Sequence, residues 1–315
     1  MSRRAIISDI HSNVVALDAV LTDIHAQQVD STISLGDICG YGPDPLVCIE
    51  RIRQYTAWTL QGNHDEALFV EPHDFGKNAR LAIEWQRTVL EPQIESSQED
   101  EERWYWLQNL PPSRAEKDVL FVHASPREPL YEYVLREDFE DSGFGLSEKA
   151  RGIFAAVPWL CFCGHSHRPG VVTEDYRWWR PEELDDYTFI IKRGRRTLVN
   201  VGSVGQPRDA IPLACYCIFD YPDSADLEKT AKTALLSTEG GRPAAPDSGV
   251  PEESLGAQDE TRSSAELKKA RDTVLMSLPR VTFRRVEYDI KAAQTRFRAV
   301  PQLPPSNAAR LAKGL

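Results

Sequence analysis

The sequence predicts an α/β fold with covered sheets, and three observations carry that reading. Short β-rich apolar runs alternate with amphipathic helical stretches from residue 4 to residue 60, the pattern of a sheet flanked by helices. Polar residues suited to metal binding (Asp9, Asp37 and Asn63) fall just past the ends of three of these runs, where open α/β sheets place their sites. Further along, strand-like runs lie close together with few helices between them, which predicts a second, more antiparallel sheet.

Taken in order, residues 4–8 read as the first strand, and residues 13–27 as a helix with Val14, Leu17, Val20, Leu21 and Ile24 on one stripe. Residues 31–35 are the next strand. Residues 46–53 read as a helix entered through the Pro43/Pro45 turn, and residues 56–60 as a third strand. Residues 75–110 read as helical, a small layer or cap in which Trp85, Trp104 and Trp106 serve as packing rings. Strands resume at 119–122, 159–163, 187–191, 197–201 and 213–219.

Composition then changes. Residues 222–262 are rich in Ser, Glu, Asp, Gly, Pro and Ala with almost no aromatics, and such a segment cannot bury enough apolar surface to offset its ordering entropy. The expected organisation is a core of residues 1–220 completed by 281–315. Residues 222–280 are expected to be a polar, mobile insertion with one helix at 264–278, where Leu267, Ala270, Val274 and Leu278 share a stripe behind Ser263 and Ser264. A strand at 281–288 and a helical tail complete the reading.

A chain of 315 residues has ample length for a buried core. No apolar run approaches bilayer-spanning length. The apolar stretch after Met1-Ser2-Arg3-Arg4 is too short for a signal-peptide core and runs into the first polar motif, so the expected compartment is cytoplasmic. Cys39, Cys48, Cys161, Cys163, Cys215 and Cys217 show neither a disulfide framework nor zinc-finger spacing, and are expected as small apolar residues in the core. Cys161/Cys163 and Cys215/Cys217 are each two apart, so each pair shares a strand face. A net charge of −11 argues against a protein whose main task is holding nucleic acid, although the run Gln98-Glu99-Asp100-Glu101-Glu102 makes part of that excess local and solvated.

Five of the seven histidines belong to one series of motifs. The blocks are Asp9-Ile10-His11, Gly36-Asp37, Gly62-Asn63-His64-Asp65 and Gly164-His165-Ser166-His167, with His123 alone after the strand at 119–122. His25 and His73 fit no motif and are expected at the surface. Asp9 and His11 are two apart, so on leaving a strand they can point the same way. Asp37 has two carboxylate oxygens and can bridge two cations, while Asn63 offers a neutral carbonyl that limits accumulated negative charge. A mixed nitrogen and oxygen set suits transition metals over Mg or Ca. The glycines preceding Asp37, Asn63 and His165 are expected to permit tight turns and close backbone approach. Arg127, Arg168 and Arg208 are candidate phosphate contacts, because guanidinium pairs bidentately with phosphate.

In this order the motifs resemble the calcineurin-like metallophosphoesterase superfamily over residues 6–209. Within it, Gly36-Asp37-Ile38-Cys39-Gly40-Tyr41-Gly42-Pro43-Asp44-Pro45 and Asn200-Val201-Gly202-Ser203-Val204-Gly205-Gln206-Pro207-Arg208-Asp209 are most similar to the small bacterial and archaeal predicted phosphodiesterases. The resemblance implies a four-layer α/β/β/α sandwich with mixed sheets and two divalent transition-metal ions, Mn first, with Fe, Zn or Ni as alternatives. It implies that Asp9, His11, Asp37 and His167 hold the first ion, and Asp37, Asn63, His123 and His165 the second. His64 is then the catalytic residue, an acid and transition-state stabiliser beside a phosphoester attacked by hydroxide bridging the metals. Protein phosphatases of the superfamily carry Asp and Arg where this chain has Gly40 and Tyr41, so that reading and the symmetrical dinucleoside tetraphosphatases are disfavoured. Asp65 is left as a candidate for orienting His64.

The expected function is hydrolysis of a phosphodiester in a small nucleotide or phosphorylated metabolite, with no membrane partner and no nucleic acid. The alternatives are a phosphomonoesterase or protein Ser/Thr phosphatase, then a nuclease. A catalytically silent metal-binding scaffold is the alternative of a different class. The sequence does not specify an oligomeric state.

Overall fold

The computed structural model describes residues 2–72, 75–140, 146–222 and 278–315. Its first part alternates as expected: β1 (Ser2–Ile7), α1 (Val14–Ala26), β2 (Ser31–Ser34), α2 (Pro45–Tyr55) and β3 (Trp58–Thr59). A one-turn helix α3 (Asn63–Glu66), then α4 (Lys77–Leu90) and α5 (Gln98–Gln108), lead to the strands β4 (Ser113–Glu116) and β5 (Val119–Val122). After α6 (Glu148–Ala156) come β6 (Leu160–Cys163), β7 (Gly170–Thr173), β8 (Trp178–Trp179), β9 (Thr188–Ile190), β10 (Thr197–Asn200) and β11 (Ala214–Tyr221). β12 (Arg280–Val286), α7 (Ile290–Arg298) and α8 (Pro305–Leu311) complete the described elements. The expected polar insertion, with its helix at 264–278, lies outside the described residues apart from its two ends, as does His73.

The strands form two mixed six-stranded sheets, β3-β2-β1-β11-β12-β9 and β4-β5-β6-β10-β7-β8. Helices cover both outer faces, giving the four-layer α/β/β/α sandwich. The late strands do not form the second sheet by themselves: β9, β11 and β12 pair into the first, antiparallel to β1 or to one another. Neither sheet is the more antiparallel, because β1-β2-β3 and β5-β6-β10 are parallel runs, one in each. Sheet membership is decided by long-range pairing, which strand spacing along the chain does not encode.

Period-two alternation sorts the side chains into layers. Ile6, Ile33, Phe121, Phe162, Val199, Cys215, Cys217 and Phe219 fill the space between the sheets. Ala5, Ile7, Tyr216 and Ile218 face the other way, against Leu17, Val20, Ile49 and Ile52 of α1 and α2. Cys161, Cys163 and Leu198 pack with Ile153 and Phe154 of α6 beyond the second sheet. All six cysteines are free and buried, each pair on one strand face. The tryptophans expected to pack do so: Trp104 and Trp106 against the α1/α2 side, and Trp85 against Phe297 and Leu311.

α7 and α8 return to the first half of the chain. Arg296 of α7 grips Asp44, the residue before α2, with Nε and Nη2. Asn307 of α8 donates to the carbonyl of Tyr41 at 3.2 Å, and Asn78 of α4 donates to Ser306 at 2.9 Å. These bonds set α8 beside the β2–α2 loop. Among the described residues no helix is long and apolar enough to cross a membrane.

Candidate metal centre

The motif residues converge where the loops after β1, β2, β3, β5 and β6 meet. The β1 and β2 loops are stitched by backbone bonds: Asp9 N–H to Gly36 O at 3.0 Å, Ile10 N–H to Asp37 O at 2.8 Å and His11 N–H to Asp37 O at 3.0 Å. Asp9 (φ 54°), His11 (φ 49°), Asp37 (φ 53°), His165 (φ 62°) and His167 (φ 57°) are all left-handed. That conformation costs a non-glycine residue of order 1 kcal/mol or more and is found where a site over-determines the backbone. β1 ends at Ile7, so Asp9 and His11 share a direction through two left-handed turns, while the intervening Ile10 drops into the core.

Two groups of donors result. Ligand atoms of Asp9, His11, Asp37 and His167 lie within 4.8 Å of one another, and so do those of Asp37, His123 and His165. Asp37 belongs to both. Its Oδ1 accepts the backbone N–H of His64 at 2.9 Å, while Oδ2 lies 3.5 Å from His11 Nε2 and 3.4 Å from His123 Nε2. Asn63 joins the second group, its Oδ1 3.1 Å from His123 Nε2.

Each histidine of these groups is oriented by a backbone carbonyl. Nδ1 of His11, His123 and His167 sits against the carbonyls of Cys39, Leu35 and Gln206, and Nε2 of His165 against that of Tyr131. A carbonyl only accepts, so the facing nitrogen carries the proton and the opposite one keeps a lone pair for a metal. His11 and His167 then aim two acceptor nitrogens at each other across 3.0 Å, and the buried Asp9 Oδ1 faces the same acceptor Nε2 of His167 at 3.2 Å. Such an arrangement is repulsive until a cation lies between the donors, so these residues fit divalent ions.

Burial holds His11 and His165 well below the ordinary imidazole range, His165 at about 3. For His123 burial acts in the same direction, yet the carboxylates of Asp37, Asp9 and Asp65 outweigh it and lift the group to about 9. A proton there takes the place of the positive charge that the carboxylates call for.

His64 stands apart from both donor groups. Its ring packs against His11 (centroids 4.8 Å apart), Tyr41 (4.7 Å) and Phe75 (4.9 Å), and Nδ1 is buried without a partner. Burial, and then the Arg208 guanidinium, push its pKa well down. Gly40 makes room for the ring: at φ +94°, a Cβ there would collide with His64 Nδ1 and lie 2.8 Å from Cγ. Asp65 does not orient His64. Its carboxylate accepts the N–H groups of Cys39 (2.9 Å), Gly62 (3.1 Å) and Ile38 (3.3 Å), binding the Asp37 loop to the Asn63 loop. Gly62 is needed for that approach, because a Cβ would run into the Asp37 carboxylate.

The candidate arginines separate. Arg208 lies near the centre, its guanidinium 5.5 Å from the Tyr41 ring and its backbone N–H on His167 O at 3.2 Å. Arg127 is engaged by Glu132, and Arg168 by Glu137 at 3.4 Å. Residues outside the motifs also shape the site. Gln86 of α4, fully buried, accepts from Gly40 N–H at 2.7 Å and donates to Gly42 O (2.7 Å) and Ser12 Oγ (2.9 Å), clamping the β2–α2 loop. Tyr133 stacks on His165 at 4.0 Å and is 44% exposed, so it stands at the mouth.

Comparison with known proteins bears on the whole arrangement. Residues 3–224 match the family model described as the calcineurin-like phosphoesterase superfamily domain. An uncharacterised protein of Methanocaldococcus jannaschii is 37% identical over 226 residues, which are 70% of this chain and 83% of that protein. A crystal structure of a metallophosphoesterase from Sphaerobacter thermophilus superposes with a TM-score of 0.67 at 31% identity, covering 100% of this chain and 99% of that one. A hypothetical protein from Pyrococcus horikoshii shares the fold at 16% identity, with a TM-score of 0.60 and coverage of 100% and 99%.

Proposed function

The chain belongs to the calcineurin-like phosphoesterase superfamily, and on that premise we propose that it is a binuclear metal-dependent phosphodiesterase acting on a small nucleotide or phosphorylated metabolite. The observation that carries this reading is the division of labour in the Asp37 carboxylate. One oxygen is tied to a backbone N–H, and the other lies between His11 Nε2 and His123 Nε2 at 3.5 Å and 3.4 Å. That is the disposition of a bridging ligand. Asp9, His11 and His167 complete one ion's set, and Asn63, His123 and His165 the other's.

Bound divalent ions would supply charge neutralisation at the phosphoryl oxygens and an acidified water. The chain supplies the rest. The carbonyl-anchored imidazoles and left-handed turns fix where the phosphorus can lie. His64, adjacent to both donor sets and kept neutral by burial, can share a proton with the leaving oxygen. Gly40 and Tyr41, standing where protein phosphatases of the superfamily carry Asp and Arg, disfavour that alternative, and the Tyr41 ring faces His11 and His64. Mn is the first choice of metal for a mixed imidazole, carboxylate and amide set.

The test is turnover of bis-p-nitrophenyl phosphate against p-nitrophenyl phosphate by Mn-loaded protein. The expected result is hydrolysis that favours the diester. A preference for the monoester would replace the diesterase reading with a phosphomonoesterase, and no turnover of either would leave a metal-binding scaffold.

A further inference from the structure

A cavity beside Tyr41, lined by one lysine and one arginine, is not used by the chemistry described above. It has a volume of about 250 Å³ and is lined by Tyr41, Gly76, Lys77, Asn78, Ala79 and Arg310. The guanidinium carbons of Arg208 and Arg310 lie 5.5 Å and 5.7 Å from the Tyr41 ring centroid. The same ring lies 4.8 Å from His11 and 4.7 Å from His64, so one aromatic ring separates the cavity from the metal donors.

Three distant segments build this place. Lys77 and Asn78 open α4, Arg310 comes from α8, and Arg208 lies in the loop between β10 and β11. Bonds between them hold it: Asn78 to Ser306 at 2.9 Å, Asn307 to Tyr41 O at 3.2 Å, and Ala210 N–H to Gly314 O at 2.9 Å. Arg310 is oriented by its Nε bond to the backbone oxygen of Leu315 (2.8 Å), and Arg208 by Nε and Nη2 bonds to Gln206 Oε1 at 3.2 Å and 2.7 Å.

The charge is unbalanced there. Arg51, Arg103, Arg127 and Arg296 each sit against a side-chain carboxylate. Among the described residues no side-chain carboxylate pairs with Arg208, Arg310 or Lys77. Burial, and then the neighbouring Arg208, lower the pKa of Arg310, so like charges have been brought together, with the main-chain oxygen of the last residue, Leu315, as partial relief for Arg310. Surface cations in a chain of net charge −11 need no such grouping. A phosphate dianion fits the guanidinium and the ammonium that line the cavity, with the second guanidinium of Arg208 across the Tyr41 ring, better than a carboxylate does, because it offers more acceptor oxygens and more charge.

We propose that this cavity is a subsite for a second phosphate of the substrate, so that the preferred substrates are phosphodiesters carrying a further phosphate group. Arg310 and Lys77 grip that group, and Arg208 stands between it and the scissile phosphoryl. The assignment rests on the phosphoesterase reading of the metal centre and names its substrate class.

The test is calorimetric binding of two product-type ligands, adenosine 3′,5′-bisphosphate and adenosine 5′-monophosphate, which carry monoester phosphates in place of the diester, to the Mn-loaded full chain. The wild type is expected to bind the bisphosphate about tenfold more tightly, the worth of one charge-assisted contact. Arg310→Ala and Lys77→Ala should each reduce that ratio several-fold. Lys77 is exposed, so its variant remains informative if Arg310→Ala fails to fold. Equal affinities in the wild type, a ratio unchanged in a folded variant, or no measurable binding of either nucleotide would overturn the subsite. Failure of the phosphoesterase reading registers separately, as no turnover of bis-p-nitrophenyl phosphate by wild-type protein, whatever the binding ratio. Inorganic phosphate is the third probe: displacing the bisphosphate with inorganic phosphate at equal affinity would assign the cavity to a free anion and overturn its place in substrate selection.

Discussion

The two donor groups share Asp37 but differ in enclosure and charge. Asp9, His11, Asp37 and His167 are each at most 1% exposed and include two carboxylates. The second group adds only the neutral amide of Asn63 and two imidazoles to the shared carboxylate. Asn63 is 6% and His165 4% exposed, and the half-open rings of Tyr131 and Tyr133 lie beside them. On the proposed binuclear reading, the fully enclosed, more anionic set would retain its ion more strongly than the less anionic set, which reaches the mouth through Asn63 and His165. The comparison predicts unequal metal affinity across a single bridge.

The largest effect should come from the bridge itself. Asp37→Asn removes the one charge common to both groups, and most bound metal should be lost with turnover; full metal content by elemental analysis would show that Asp37 does not bridge. Next in size is His64→Ala, whose side chain belongs to neither donor group although its ring lies against His11. Metal content should hold while turnover falls roughly 10²–10⁴-fold, the usual worth of a general acid. Unchanged kinetics would mean that the ring has another task.

Asn63→Ala sharpens the asymmetry. It should weaken only the second ion, by about 10–100-fold, so that titration with a chelator takes the protein from two bound ions to one well before the first is removed. Simultaneous loss of both ions would erase the distinction drawn from burial and charge.

Much of this was legible in the sequence because side-chain chemistry and period-two alternation are local. The strand at Val119–Val122 falls where its apolar run does, and the seven donor residues converge. What escaped has no local signature. β4 is the polar, largely exposed edge Ser113–Glu116, and β8 is two residues long. The partners that orient the histidines are backbone carbonyls of Cys39, Leu35, Gln206 and Tyr131, which any residue type could supply. Gln86 and Arg310 reach the site from helices outside every motif, and Asp65, adjacent to His64 in sequence, turns out to clamp backbone. The fold's long-range pairings, not residue type, decide these roles.

The smallest predicted effect concerns the space that Gly40 leaves for His64. In Gly40→Ala the added Cβ would collide with His64 Nδ1 and come within 3.1 Å of His11 Nδ1, a milder contact that a shift of a few tenths of an ångström relieves, while the bond that holds Asp37 to the His64 backbone is not made by Gly40. Metal content should therefore be normal, and turnover should drop by on the order of 10²-fold or less, the cost of misplacing a catalytic group by about an ångström. The loop is strained as well as crowded, because φ is +94°, and lost activity alone would not separate a displaced ring from a distorted loop. The double variant does. If Gly40 acts through His64, Gly40→Ala/His64→Ala should turn over no more slowly than His64→Ala, since the ring that the methyl would displace is gone. Additive losses would instead mean that the glycine serves the loop carrying Asp37, and the space it leaves for His64 would be incidental.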